Sequence, residues 1–248
     1  MPLTYSPLES ARFDLRISRG SADKLAPQDL LSTILDERID VAILRLPTSE
    51  QHKLHQLSIL PFPVIVADTI VRFDIDLRTS PPHPLRNKDL VIRRAMTADR
   101  AVVEELIDLS FKDYRTHYHS NPLFNPKLVL EGYKEWALSC LEPGDERICF
   151  VFYAGEQAVA YSTFVLYETH AEAIIYGARP RALVRGLYND MIRHTLQYVQ
   201  DHGRFRFHAV TQVQNTGVQR MWVREGFIPA NSFCTIHINA LLAQRLHQ

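Results

Sequence analysis

Apolar positions along this chain fall into short blocks of changing period, and each period predicts an element. From Arg12 to Ser18 they alternate as Phe13, Leu15 and Ile17, which predicts a strand. Across Pro27–Asp36 they recur as Leu30, Leu31, Ile34 and Leu35, one side of a short helix. Val41-Ala42-Ile43-Leu44 is a continuous apolar run of buried-strand length. Thr48 to Leu57 predicts a second helix, with Thr48 or Ser49 as its cap. Val64–Val66 and Ile70–Leu77 predict a hairpin around Ala67-Asp68-Thr69.

The second half repeats this alternation of periods. Thr97-Ala98-Asp99-Arg100 opens a helix whose apolar side is Val102, Leu106, Leu109 and Phe111. A polar, aromatic loop runs from Tyr114 to Pro122. Pro126 opens a helix carrying Leu130, Tyr133, Trp136 and Ala137. Arg147–Tyr153 and Ala158–Tyr167 are paired strands around Gly155-Glu156-Gln157. Ala171–Ala178 is a fourth strand closed by Pro180. Leu183-Val184-Arg185-Gly186-Leu187-Tyr188 opens an amphipathic helix running to about His202. Phe205–Thr211 is a strand, and Asn215–Arg224 a short helix stopped at Gly226, a residue suited to the left-handed region. The elements predict an α/β fold with a mixed sheet, splayed where the fourth and fifth strands lie side by side.

One composition shift divides the chain. Thr79 to Asp89 holds its densest proline cluster, Pro81-Pro82-His83-Pro84, and reads as a semi-rigid connector. The expected division is 1–78, a linker at 79–89, and 90–248. Charge is balanced, with 28 basic and 28 acidic residues, which argues against a nucleic-acid partner. Three scattered cysteines give neither a disulfide framework nor a zinc site, and their odd number fits a reducing cytoplasm. No apolar run approaches membrane-spanning length, and Met1 to Ser6 lacks the pattern of a signal peptide, so no membrane partner is expected.

The segment Ile174–Phe227 carries the chemistry. A strand feeding a glycine turn at a helix start offers unpaired backbone N–H groups to an anion. Here the chain resembles the GNAT superfamily of acyl-CoA-dependent N-acetyltransferases. Those proteins carry a loop Arg/Gln-x-x-Gly-x-Gly/Ala after a proline. Counted from Pro180, it falls on Leu183–Tyr188, with Gly186 matching and Leu183 and Tyr188 departing. Their later pattern Asn-x-x-Ala-x-x-x-Tyr-x-x-x-Gly-Phe matches at Asn215, Gly226 and Phe227, with Val218 and Trp222 replacing the alanine and tyrosine. Taken alone, Gly186 is equally an ordinary helix-start turn and Asn215 an ordinary N-cap. The order strand 41–44, helix 49–57, Pro61-Phe62, strands parallels strand 205–210, helix 215–224, Gly226-Phe227, strand 233–238. A partial GNAT-like half-domain before a complete one is similar to TDP-fucosamine acetyltransferase-like enzymes. Thr211-Gln212-x-x-Asn215-Thr216 and the region Phe111–Trp136 add to that likeness.

The resemblance implies acetyl-CoA as cosubstrate, no metal, and a small-molecule amine as acceptor, most closely an amino sugar carried on a nucleotide. An amino-acid or peptide amine, or a ligand-binding protein without catalysis, are the alternatives. It implies pyrophosphate on the amides of Arg185, Gly186, Leu187 and Tyr188, with Asn215 and Trp222 beside the cofactor. A backbone N–H near Gly177 or Ala178 would hold the thioester oxygen. The family's thiolate-protonating tyrosine falls on Trp222, whose indole cannot act as an acid. Three readings remain: Tyr188 or Tyr161 donates, the thiolate leaves unaided, or catalysis is lost. The ring of Tyr188 should then lie along the cleft floor. His117 and His119 are the expected bases, since histidine titrates near neutrality, with Glu172 and Tyr176 as alternatives. Oligomeric state stays open, a homodimer included.

Overall fold

The computed structural model describes residues 3–22, 26–144, 146–180, 182 and 184–241. Leu183, in the expected loop, lies outside them. The chain forms two compact units interleaved in sequence. One holds Met1–Val71, Arg115–Val129 and Asn231–Gln248, and the other Arg72–Tyr114 and Leu130–Ala230.

The first unit contains β1 (Thr4–Tyr5), α1 (Pro7–Phe13), β2 (Ile17–Ser21), α2 (Pro27–Asp36), β3 (Val41–Pro47), a 3-10 helix at Thr48–Ile59, and parts of β4 (Val64–Asp76) and β10 (Ile228–Asn239). Its strands run β1-β2-β3-β10-β4. β2 pairs parallel with β3, and β3 antiparallel with β10. One face packs Ala42, Leu44, Leu46, Ile236 and Ile238 against Leu30 and Ile34 of α2. Pro27 at the first helical position of α2 and Leu30 and Ile34 one turn apart explain why that helix forms and which side it buries.

Several N-terminal expectations are corrected. Phe13 does not begin a strand. It ends α1, which Pro7 opens and left-handed Asp14 (φ 52°) closes, and the strand starts only at Ile17. Leu35 is exposed at 57% rather than buried with its neighbours. Thr48–Ile59 is helical but 3-10, with neither Thr48 nor Ser49 as its cap. The hairpin at 67–69 is absent: β4 runs straight through from Val64 to Asp76. Ala67-Asp68-Thr69 contains neither glycine nor proline, so nothing there forces a reversal.

The second unit contains β5 (Leu90–Arg94), α3 (Arg100–Phe111), most of α4 (Pro126–Leu138), β6 (Arg147–Ala154), β7 (Gln157–Leu166), β8 (Ala171–Ala178), α5 (Leu187–Asp201), β9 (Arg206–Gln212) and α6 (Thr216–Arg224). Its strands run β4-β9-β8-β7-β6-β5. Antiparallel ladders join β5 through β8, and β9 lies parallel to β8, so the sheet is mixed as expected. Val103, Leu106 and Ile107 of α3 cover one face with Tyr161 and Ile175. Val102 and Leu109 are not the buried pair; the helix is turned by about one residue from the expected side. Leu187, Met191, Ile192, Leu196 and Val199 are the buried apolar residues along α5. Gly226, at φ 95°, stops α6 as expected.

Candidate functional site

The site is built on the second unit, where β8 leaves β9. The two strands share register only at Ala171↔Phe207 and Glu172↔His208. Beyond Glu172 they separate. The cause lies on the other edge of β8, where the β7–β8 register slips between Thr163 and Phe164, leaving Ile174 as an extra residue. Such a bulge bends its strand and re-aims the residues beyond it. Thr163 stabilises it: its hydroxyl donates to the Ile175 carbonyl (2.8 Å) and accepts from the Ile175 N–H (3.0 Å). The Arg179 N–H donates to the Val159 carbonyl at 2.7 Å. Antiparallel pairs alternate between bonded and non-bonded. Gly177, opposite Tyr161, therefore spends its amide on β7, whereas the amides of Tyr176 and Ala178 face the opening. Of the two expected carbonyl donors, Ala178 is available through its backbone and Gly177 is not.

Gly177 is required for another reason. A Cβ there would fall 2.4 Å from Ser110 Oγ and 2.5 Å from Tyr161 Cε1. The close approach of α3 to β8 thus depends on glycine.

At the far end of the opening stands the turn before α5. Gly186 is its N-cap at φ 79°, in the left-handed region, and its carbonyl accepts from the Asp190 N–H at 3.2 Å. The helix start leaves the amides of Tyr188 and Asn189 without intrahelical acceptors. The Leu187 N–H is weakly held by the Val184 carbonyl (3.3 Å) and its side chain is buried, so Leu187 acts mainly as an anchor. Arg185 is exposed, and its carbonyl accepts from Asn87 Nδ2 at 3.0 Å. Asp190, fully buried, accepts from the Arg86 N–H (2.7 Å), the Asn87 N–H (3.1 Å) and Asn87 Nδ2 (2.6 Å). These bonds staple the proline-rich segment onto the helix start. Arg86 also passes over Gly186: a Cβ on that glycine would meet Arg86 Cδ at 3.2 Å and Nη1 at 3.5 Å. A guanidinium therefore stands beside a helix N-terminus, two features that both favour an anion.

Aromatic residues cluster at the start of α5. The rings of Tyr176 and Tyr188 lie 6.5 Å apart. Burial pushes the Tyr188 hydroxyl well above the ordinary tyrosine range, and the Trp222 indole N–H beside it opposes that rise. The two departures from the family pattern thus meet: the tyrosine absent at Trp222 has a hydroxyl near it, supplied by Tyr188. Burial raises Tyr176 too, opposed by the neighbouring Thr195 hydroxyl. Tyr114 donates to Gln212 Oε1 at the open end of β9. Asn215 stands at the N-cap of α6 without capping by its side chain; its Nδ2 donates to Thr211 Oγ1 at 3.0 Å. Tyr161 is fully buried beneath Gly177 in the α3 core, with its pKa raised by burial, and this sets it away from the opening.

His117 and His119 belong to the first unit, and the loop expected there is a half-buried 3-10 turn, His117–Ser120. His119 Nδ1 accepts from the Thr116 N–H at 3.1 Å, so it serves as a local cap, and burial lowers its pKa. His117 Nδ1 lies 2.9 Å from His237 Nε2, and Asn121 Nδ2 lies 3.1 Å from His237 Nδ1. Since Asn121 can only donate there, His237 carries its proton on Nε2 and donates to His117. Burial lowers His117 well below the ordinary range, and lowers His237 to about 3, helped by Arg19 and Arg45. Both expected bases have Nδ1 occupied as an acceptor and present Nε2 as a donor. Neighbouring Glu9 is desolvated, yet its bonds to Arg19, Ser6 and Tyr118 hold its pKa low.

The sequence pattern located the Gly186 turn, the opening and Tyr188. It missed Thr163 and the staple of Asp190, Asn87 and Arg86. Asp190 sits in the first turn of a predicted helix, and that position was the one available signal for it.

No sequence-family model matches the chain, and no curated protein matches it in sequence. Solved structures do. A GCN5-related N-acetyltransferase from Kribbella flavida superposes with a TM-score of 0.58 at 10% identity, over 90% of this chain and 81% of its own. One from Sphaerobacter thermophilus gives 0.56 at 12% identity, over 79% and 59%. A tandem GNAT protein from the clavulanic acid biosynthesis pathway gives 0.57 at 10% identity, over 84% and 66%. The chain has the GNAT fold, and at such identities the likeness reaches the fold alone. No group of three or more His, Cys, Asp or Glu among the described residues could hold a metal, and no helix among them is long and apolar enough to cross a membrane.

Proposed function

We propose that this chain is an acetyl-CoA-dependent N-acyltransferase acting on a small-molecule amine. The observation that carries it is the opening between β8 and β9, with the Gly186 turn at its wide end. In this reading the pyrophosphate rests on the amides of Tyr188 and Asn189 under Arg86 and Arg185. The pantetheine arm enters the opening and pairs with the Ala178 amide. The thioester carbonyl takes the Tyr176 amide beside the bulge, a fixed donor aimed where negative charge develops. Tyr188, its hydroxyl kept protonated by burial, donates a hydrogen bond to the departing thiolate. An amino sugar on a nucleotide is the acceptor the family resemblance favours. The segments 1–78, 79–89 and 90–248 would be a half-copy, its connector and the complete acyltransferase.

Calorimetry with acetyl-CoA, followed by thiol release across amino sugars, amino acids and aliphatic amines, tests this. Binding with amine-dependent thiol release is expected. Binding without release from any amine would point to a ligand-binding protein, and no binding would overturn the reading.

A further inference from the structure

We infer that Gln212, oriented by Tyr114, reads a hydroxyl on the acceptor, which makes the acceptor a hydroxylated amine; this deepens the N-acyltransferase reading above and rests on it. Both residues lie in the second unit. β8 and β9 share their last register pair at Glu172↔His208 and run parallel from there. Gln212 stands four residues beyond His208, and Tyr176 four beyond Glu172. Gln212 is therefore level with the amide assigned to the thioester carbonyl. Phe207 packs near Phe164, which packs near Tyr198 of α5. Successive strand residues alternate, so Val210 and Gln212 project from the opposite face, the one on α3's side. Val210 is 50% exposed although β9 lies inside the sheet, between β4 and β8. That face is uncovered there, and an acceptor can reach the opening from it.

Gln212 is held at both backbone and side chain. Its carbonyl accepts from the Asn215 N–H at 3.0 Å and from Gln219 Nε2 at 3.1 Å. At the side chain, the Tyr114 hydroxyl donates to Oε1. The Tyr114 ring is set edge-on to Phe111, at 5.1 Å between centroids, and to Tyr133, at 6.2 Å. Gln212 is only 8% exposed, yet its Nε2 has no hydrogen-bond partner among the described residues. Leaving a polar atom of a nearly buried amide unpaired is costly, so such an atom points to a ligand. A tyrosine hydroxyl can donate or accept, so it pairs with either end of an amide. The ligand group that serves the remaining end in either orientation must also do both. A hydroxyl does; an ammonium or a carboxylate does not.

An acceptor whose hydroxyl rests on Gln212 brings its nitrogen beside the carbonyl carbon held at the Tyr176 amide. An amine without that hydroxyl leaves the Gln212 amide desolvated and unpaired. A site built to bond a hydroxyl rejects the analogue lacking it far more strongly than an apolar pocket rejects a missing methylene. Gln212 is thus a specificity residue and Tyr114 a positioning residue. The substrate class is the amino alcohols, amino sugars among them, in preference to plain alkyl amines.

The test uses the full chain and follows thiol release from acetyl-CoA. Its probes are amine pairs that differ by one hydroxyl: ethanolamine against ethylamine, aminocyclohexanol against cyclohexylamine, and glucosamine against its deoxy derivatives. In the pair used best, the parent should prefer the hydroxylated amine about thirtyfold in kcat/KM (~2 kcal/mol), the cost of a buried amide left unpaired. Gln212→Met keeps the length of the side chain and should bring that ratio within about threefold, with acetyl-CoA affinity within about twofold of the parent by calorimetry. Tyr114→Phe keeps the ring against Phe111 and Tyr133 and should lower the ratio too, which covers a Met variant that fails to fold. A merely structural role would slow both amines of a pair alike and leave the ratio where it was. A parent with no preference in any pair, a ratio that the folded variants keep, or acetyl-CoA affinity lost about tenfold in Gln212→Met overturns the assignment. A parent that releases thiol with no amine removes the acyltransferase reading and this inference together.

Discussion

Among the described residues, β2–β3 and β8–β9 are both parallel strand–helix–strand pairs, and they differ in that β8–β9 is open. In the first unit, β2 and β3 stay zipped from Ile17↔Val41 to Ser21↔Arg45. In the second, β8 and β9 part after two pairs. The helices differ in the same sense. Pro27 at the start of α2 removes an amide that an anion would need, while left-handed Gly186 exposes the first turn of α5. In the closed unit Arg19 binds Glu9, and Asn121 binds His237 and Asn239. A shared topology therefore does not make a site. The opening requires a bulge, a residue to absorb the backbone groups it frees, and a glycine turn.

Each of these differences can be removed by a single substitution. The largest effect should come from Thr163→Val, which strands the buried N–H and C=O of Ile175. The cost should be about 2–4 kcal/mol in denaturant unfolding, on the order of 1–3 kcal/mol per unpaired group, with acetyl-CoA affinity lost as well. A variant as stable as the parent would mean that the bulge does not depend on that hydroxyl.

The closed unit should respond to acid. His117 and His237 are held below their ordinary value near 6.5, so the unfolded chain takes up protons first. Stability is complete above the unfolded value and falls as pH drops through it, continuing toward about 3, where His237 protonates in the fold. His237 alone gives a loss of about 2 kcal/mol by pH 5, and His117 adds to it in the same direction. The double variant His117→Leu, His237→Leu should flatten the curve between pH 7.5 and 5, and a parent already flat there would refute the buried neutral pair.

Smaller still is Gly186→Ala. Forcing a Cβ to φ 79° costs about 1–2 kcal/mol, and the Cβ meets Arg86. Acetyl-CoA should bind about tenfold more weakly, some 1.4 kcal/mol. Gly20→Ala in the closed unit should leave that affinity alone. The smallest effect is Asn215→Ala. N-cap substitutions commonly cost about 0.5–2 kcal/mol, but this side chain makes no cap bond, so a loss under about 0.5 kcal/mol is expected. A full capping loss in thermal unfolding would contradict the geometry.

The second unit was legible because glycine and proline punctuate it. Gly155, Pro180, Gly186 and Gly226 fix turns and caps, and β6 through α6 begin and end within a few residues of their predicted limits. The first unit lacks such marks. Alternation at Phe13, Leu15 and Ile17 crosses a helix end rather than describing a strand, because Asp14 makes the turn without glycine. Asp68 and Thr69 suggested a reversal, but β4 continues through them between its neighbours β10 and β9. At the site, local motifs showed in the sequence and distant pairings did not. Asp190 meets Asn87, and Gln212 meets Tyr114, across 103 and 98 residues of sequence. The histidines in the 117–119 turn drew attention because they are adjacent in sequence, yet His117 pairs with His237.

Residue-resolved amide exchange with and without acetyl-CoA tests the central claim most directly, since the claim is that unpaired amides on β8 hold the cosubstrate. The amides of Tyr176 and Ala178 should exchange quickly in the free protein and slow sharply on binding, while those of β2 and β3 stay unchanged. Saturating acetyl-CoA that leaves Tyr176 and Ala178 unprotected, or that protects β2 and β3 instead, would contradict it.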